Sequence, residues 1–427
     1  MTISAGMAVL VSLFSSGAYA GTALDSLTGA LFYESRIAVP LLLPQDEGAQ
    51  PGQAAEARAQ IILNAQTGQT FVVVPVSGGF INTLNGRFTP AVNTGGGWVN
   101  LQTGQYLPMI SEKRAQNTVT YNPVVDTMIN KVTREELEPA VAELSGVIPA
   151  LIGGVPYTFT TRSSSSGKPI DMAERYVYEH LLTYGLDSVA YQNFPGEKGA
   201  PPGRNVIGQI NGTTKAGEII VVGAHLDSFP WTGAAPGADD NASGVSATLY
   251  LARAFAGKKF ERTIRFVFFG DEENAPWECA RIGSAGYAAR SKAGGENIAA
   301  MIQADALAYD PPESGAHIAE MNTRKPKDDP AGGDLAVFTM WRDAIKTYSI
   351  AGITPVNVSI GDNWSDHGSF WKNGYHAVML SAEEIDHWNP YWHSANDKIS
   401  NFAWPLYVQI TKSYVAVAAH QAGISAR

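Results

Sequence analysis

A single cysteine, Cys279, occurs among 427 residues. That excludes an intrachain disulfide and any zinc site built from several thiolates. With no neighbouring His in sequence, Cys279 reads as a loop thiol. Charge is also sparse. Only 16% of residues are Asp, Glu, Lys or Arg, and acids outnumber bases, giving a net charge of −10 and a pI near 5.3. Nucleic-acid recognition needs clustered Lys and Arg facing phosphate, so a nucleic-acid partner is excluded. No run approaches the roughly 20 apolar residues of a membrane-spanning helix. What is present is core: 45% of residues are hydrophobic, which argues for a globular chain. The length allows one large domain or two or three smaller ones.

The chain divides into three stretches. Met7 to Phe14 is apolar, and Ser15 to Ala20 ends in Ala-Tyr-Ala, the pattern of an export signal with its cleavage site. No Lys or Arg precedes Arg36, so the basic lead of such a signal is missing, and a buried N-terminal segment is the alternative. Residues 21–120 are rich in Gly, Asn, Gln and Thr, with short β-prone runs at Gln69–Val74 and Gly97–Leu101. They read as a small β-rich region, either accessory or propeptide. From residue 121 onward strands alternate with helical patterns, which implies an α/β fold with a largely parallel sheet. Helices are expected over Val124–Leu144, over Met172–Tyr184 with Tyr178, Leu181 and Leu182 facing a core, and over Trp404–Gln421.

The chemistry gathers at the ends of three apolar strands. Ile219–Val222 leads to His225 and Asp227, Thr263–Gly270 runs into Glu272 and Glu273, and Ile298–Ala304 ends on Asp305. A Gly/Pro-rich loop adds Asp239 and Asp240 at the start of a helix, and a late loop adds His393. The edge outside the carboxyl ends of parallel strands is where α/β proteins bind ligands. Imidazole and carboxylate together suit zinc. Adjacent glutamates leaving a strand are expected to point to opposite sides, one free to bind metal and the other to move protons. Two zinc ions carry +4; Asp240, Glu273, Asp305 and one bridging hydroxide balance that charge. Any one of His225, Asp240, Glu272, Glu273, Asp305 and His393 could be an ordinary polar residue of a sheet edge. All six in register point to metal, because unpaired buried carboxylates are costly.

The ordered set His225-Leu-Asp-Ser, Pro236-Gly-Ala-Asp-Asp-Asn-Ala-Ser-Gly244, Glu272-Glu273, Gly283-Ser284, Asp305, Ser365-Asp366-His367 and His393 to Asp397 resembles the co-catalytic dizinc aminopeptidases of metallopeptidase family 28. The resemblance covers Asp126 to the C-terminus. It implies a three-layer zinc-exopeptidase fold, phosphorylase/hydrolase-like, with a mostly parallel mixed central sheet, and makes 121–427 the catalytic domain. It implies two Zn²⁺ per chain, bridged by Asp240, with His225 and Asp305 on one and Glu273 and His393 on the other. Glu272 is then the general base acting on a metal-bridged hydroxide, and Asp227 orients His225. The implied substrates are peptides with a free N-terminus; the export-signal pattern makes a secreted or periplasmic location the expectation. Two departures stand out: Asn274–Ile282 fills a longer gap after the Glu pair than is common, and His376 stands where Pro is common.

Around this set, Asp239 reads as a loop or capping acid. Asp366 and His367 read either as helix N-terminal residues or as supports of the site. His180, His317, His387 and His420 read as surface or loop residues. Trp231, Trp277, Trp364, Trp388 and Trp392 fall in or beside the motif loops, and an apolar wall for a hydrophobic N-terminal side chain is weighed against simple core. The alternatives are a single-zinc enzyme similar to glutaminyl cyclases, a carboxypeptidase with Arg281 as its carboxylate anchor, and a non-catalytic binding protein on the same scaffold.

Overall fold

A computed structural model describes residues 119–196, 202–230, 233–273, 281–311, 315–382 and 389–425, together with the backbone of seven short strands between residues 30 and 100. The chain forms two compact units, Met1–Gln116 and Asn117–Arg427. The export-signal pattern, the loop 274–280, Trp231, Trp388 and His387 lie outside the described residues.

In the first unit β1 (Ala30–Tyr33), β4 (Gln60–Asn64) and β5 (Gln69–Val73) form an antiparallel sheet with β4 central. Two further antiparallel pairs are β2 (Ala38–Pro40) with β3 (Glu56–Arg58), and β6 (Ala91–Asn93) with β7 (Trp98–Asn100). Both β-prone runs read from the sequence fall on strands.

The second unit opens with α1 (Pro123–Asn130), α2 (Arg134–Leu144), the hairpin β8 (Ala150–Ile152) and β9 (Val155–Tyr157), and α3 (Lys168–Thr183). Its sheet holds β10 (Ser188–Phe194), β11 (Gly203–Ile210), β12 (Lys215–His225), β13 (Arg262–Phe269), β14 (Asn297–Ala304), β15 (Ile318–Asn322), β16 (Thr354–Val358) and β17 (Ala377–Ala382). Helices α4 (Gly244–Phe255), α5 (Ile282–Ala293), α6 (Gly333–Thr347), α7 (His367–Lys372) and α8 (Trp404–Ala422) complete the unit. The strand order is β10-β11-β13-β12-β14-β17-β15-β16. The four central strands β13, β12, β14 and β17 are mutually parallel; β10–β11, β11–β13 and β15–β17 pair antiparallel, and β15–β16 parallel.

Strand β12 shows why the apolar runs have no polar face. Ile220, Val222 and Ala224 pack into the larger core with α4, α6 and α8, whereas Ile219 and Val221 pack into the smaller one with Tyr287 of α5 and Phe370 of α7. A strand covered on both faces must be apolar on both. The result is a three-layer α/β fold. No helix among the described residues is long and apolar enough to cross a membrane.

Two local expectations change. The helix expected over Val124–Leu144 is two helices: Thr133 is extended (φ −134°, ψ 168°), so hydrogen bonding restarts at Arg134. Asn122 caps α1, its side chain accepting the Val124 N–H at 2.9 Å. On α3 Leu181 is buried, but Leu182 is 54% exposed because its position faces solvent.

Phe266 lies fully buried in β13 against Phe255 of α4. Phe266→Ala should cost about 3–5 kcal/mol of unfolding free energy. Urea titration measures it, and a loss below about 1 kcal/mol would contradict this packing.

Candidate metal centre

Register places the first pair of side chains. Gly223 of β12 sits opposite Gln303 of β14, so two residues later His225 meets Asp305. Their Nε2 and Oδ1 atoms are 3.2 Å apart. On the other side His225 pairs with Phe269, the last residue of β13, and three residues on the chain delivers Glu272. Asp240 reaches the same edge from the turn Ala238–Ser243 that precedes α4, where its backbone is not helical (φ −109°, ψ 91°). His393 comes from the loop before α8 with a left-handed backbone, φ 53°. Such a conformation is costly for a non-glycine residue and is retained where neighbours over-determine it. Here Trp392 stacks on the imidazole at 3.4 Å between centroids, and Phe229 packs at 5.0 Å.

The donors form two groups that share one residue. Asp240 Oδ1 lies 3.0 Å from His225 Nε2, and Asp240 Oδ2 lies 3.3 Å from His393 Nε2. Asp305 completes the first group. Glu273, with Oε1 2.8 Å from His393 Nε2, completes the second. In each of the sets His225/Asp240/Asp305 and Asp240/Glu273/His393, the ligand atoms lie within 4.8 Å of one another. All five residues are buried and line one pocket with Glu272, Ala306, Trp364, Met379 and Trp392.

Strand alternation predicts that Glu272 and Glu273 diverge, but both line this pocket. The strand ends at Phe269, and Asp271 adopts φ 52°, which breaks the alternation. Asp227 then fixes the bend, its carboxylate accepting the N–H groups of Glu272 (3.2 Å) and Glu273 (2.9 Å). Its carboxylate also lies 3.6 Å from His225 Nδ1, and its carbonyl oxygen 3.2 Å. Asp227 therefore holds both the imidazole and the glutamate pair. Asp397 does the same for the next loop, accepting N–H from Asp239 (2.8 Å) and Asp240 (3.0 Å).

Gln303 supports the site although it carried no signal in the sequence. Gln303, buried two residues before Asp305, donates to Asp305 Oδ2 at 3.1 Å and also to Ser365. Ser365 donates to Asp305 Oδ2 at 2.6 Å. Gln303 Oε1 accepts the His367 N–H at 2.8 Å, so His367 is a fully buried support rather than a pocket residue. Asp239 accepts from the Ala308 N–H and the Asn389 amide, both at 2.8 Å, and joins loops. His420 is half-buried on α8, against the Tyr348 hydroxyl, rather than in a loop.

Electrostatically the site is overloaded with negative charge. Burial, then Glu273, drives the Glu272 carboxyl well above the usual range; burial, then Asp240, does so for Glu273. Burial also opposes ionisation of Asp240, but the two imidazoles outweigh it and hold that carboxyl low. Glu272 Oε1 is buried and accepts no hydrogen bond from the described residues. Divalent cations on the two nitrogen/oxygen groups would relieve this repulsion, and the donor types match zinc. A further group, Asp329, Asp334 and His376, does not fit a cation. Arg324 already occupies it, donating to Asp334 at 2.7 and 2.8 Å.

The model of peptidase family M28 matches residues 205–418, half of the chain. The chain belongs to this family. Among curated relatives, Leucine aminopeptidase 1 of Arthroderma otae is 30% identical over 227 residues, which are 49% of this chain and 56% of that protein. The chain thus spans about half the length of the curated relatives it matches. Among solved structures, the LapA aminopeptidase of Legionella pneumophila superposes with a TM-score of 0.56 at 19% identity, covering 71% of this chain and 74% of that one. Macrostomum lignano glutaminyl cyclase gives 0.55 at 18%, covering 71% and 96%. These two share the fold. Within this M28 chain the match spans both candidate metal groups and ends inside α8.

Two predictions concern the frame of the site. Gly237 has φ 58°, and a Cβ there would lie 2.5 Å from Ser228 and 2.6 Å from the Asp240 carbonyl oxygen. Gly237→Ala should therefore displace Asp240 and lower zinc retention after dialysis; unchanged zinc content in the folded variant would contradict it. Burial, aided by the charge of Arg281, pulls the His367 imidazole down to about 4. The unfolded chain, with a value near 6.5, takes up this proton first as pH falls. His367 stability is thus present at neutral pH and lost between about pH 6.5 and 4, by up to ~3 kcal/mol. In zinc-free protein His367→Gln should flatten the fall in urea-derived stability over that window. An unchanged slope would contradict the assignment.

Proposed function

We propose that this chain is a secreted or periplasmic zinc aminopeptidase that removes hydrophobic N-terminal residues from peptides. The observation that carries the reading is the shared carboxylate: the two oxygens of Asp240 face two separate imidazole/carboxylate groups. In this reading His225, Asp240 and Asp305 hold one zinc, and Asp240, Glu273 and His393 hold the other. When bound, the pair would lower the pKa of a water between them and polarise the scissile carbonyl.

The chain's own residues supply the rest. Glu272 Oε1, buried and without a hydrogen bond from the described residues, is positioned to accept the proton of the attacking water and return it to the leaving amine. Asp227 accepts the Glu272 and Glu273 N–H groups and so fixes the backbone from which the base projects. Trp364, Met379 and Trp392 give the pocket an apolar wall suited to a hydrophobic side chain. A cationic α-amine would be favoured beside the surplus carboxylates, which limits cleavage to the chain's end. The export-signal pattern at residues 1–20 supports the location. A single-zinc glutaminyl-cyclase activity would leave one of the two groups without a task.

Leucyl-anilide should be hydrolysed and its N-acetylated form should not, with activity lost on chelation and restored by zinc. Glu272→Gln should keep its zinc and lose at least about 100-fold in kcat. Equal cleavage of both substrates, or full activity of Glu272→Gln, would contradict the proposal.

A further inference from the structure

Arg162 has no accessible surface and, among the described residues, forms no ion pair. Its side chain is spent on backbone carbonyls. Nε donates to Leu226 O at 2.9 Å, Nη1 to Leu144 O at 2.8 Å and Pro236 O at 2.7 Å, and Nη2 to Gly237 O at 2.9 Å. Leu226 follows His225, and Gly237 precedes Asp240 by three residues. One guanidinium thus closes both mouths of the loop that separates a candidate ligand of the first zinc from the carboxylate shared by both. Ser228 doubles the clasp, its Oγ accepting the Arg162 N–H at 3.2 Å and donating to Ala235 O at 3.1 Å. The third anchor, Leu144 O, belongs to the C-terminal end of α2, where unpaired carbonyls and the helix dipole favour a cation.

A neutral donor could close a loop. Burying a cation without a contacting anion costs several kcal/mol unless nearby negative charge offsets it. Here the offset comes from the site: burial draws the guanidinium down to about 10, and Asp397, Asp240 and Asp227 act against that. A planar fork is also needed, because the accepting carbonyls radiate from three sides of the group, a geometry an ammonium cannot match.

We propose that Arg162 is the positioning residue of the metal centre, setting the separation of His225 and Asp240 through the loop 226–237 and thereby the affinity for zinc. This rests on the dizinc reading above.

Zinc affinity of the full-length protein, measured by competition with a chromophoric chelator, tests it alongside the thermal midpoint of the zinc-free form. Arg162→Met should bind zinc at least about tenfold more weakly than the parent, and Arg162→Lys should fall between. A purely structural arginine would lower the zinc-free midpoint and leave the affinity of the folded protein unchanged. Affinity within twofold of the parent in either folded variant overturns the inference. So does failure of both variants to fold, which would make Arg162 a folding residue. If the parent binds no zinc, the dizinc reading fails instead.

Discussion

The structure depends on keeping eight buried acids together at one edge of a sheet: Asp227, Asp239, Asp240, Glu272, Glu273, Asp305, Asp366 and Asp397. Bare carboxylates in a dry pocket repel one another and lose their hydration, a cost of several kcal/mol each unless they are paired. The chain answers in two ways. Acids that support the frame spend their oxygens on N–H groups, backbone ones for Asp227 and Asp397, one backbone and the Asn389 amide for Asp239. Acids that face the pocket keep oxygens turned toward the two imidazoles and the space between them. The first set makes the surroundings rigid, and the second leaves a charge deficit that a cation can fill.

The parallel order of β13, β12 and β14 is what makes such a cluster possible. Three adjacent strands ending at one level deliver His225, the Glu pair and Asp305 from three separate loops, each anchored by a core buried on both faces. Loops then bring Asp240 and His393 across that edge. The left-handed residues Asp271 and His393 occur where the chain must turn a side chain inward.

Much of this was legible before any coordinates. Apolar runs with β-branched residues marked the central strands, and polar residues at their ends marked the site, because periodicity and burial share one cause. Less visible were features set by tertiary contact. Nothing in Thr-Thr-Arg-Ser announced that Arg162 would be fully buried. Gln303 looked like one polar residue inside an apolar strand. The convergence of Glu272 and Glu273 on one pocket depended on a left-handed Asp271 and on N–H bonds to an acid 45 residues away. The break between α1 and α2 is hidden in the sequence because hydrophobic spacing continues across Thr133, although the helical backbone does not.

The shared carboxylate is the feature most exposed to test. Zinc stoichiometry should be measured by elemental analysis on the parent and on Asp240→Asn, Asp305→Asn and Glu273→Gln. Two zinc ions per parent chain are expected. Loss of Asp305 or Glu273 should weaken one site each, whereas Asp240→Asn should weaken both. One zinc per parent chain, or an Asp240→Asn protein that keeps one ion at undiminished affinity, would contradict a centre built around Asp240.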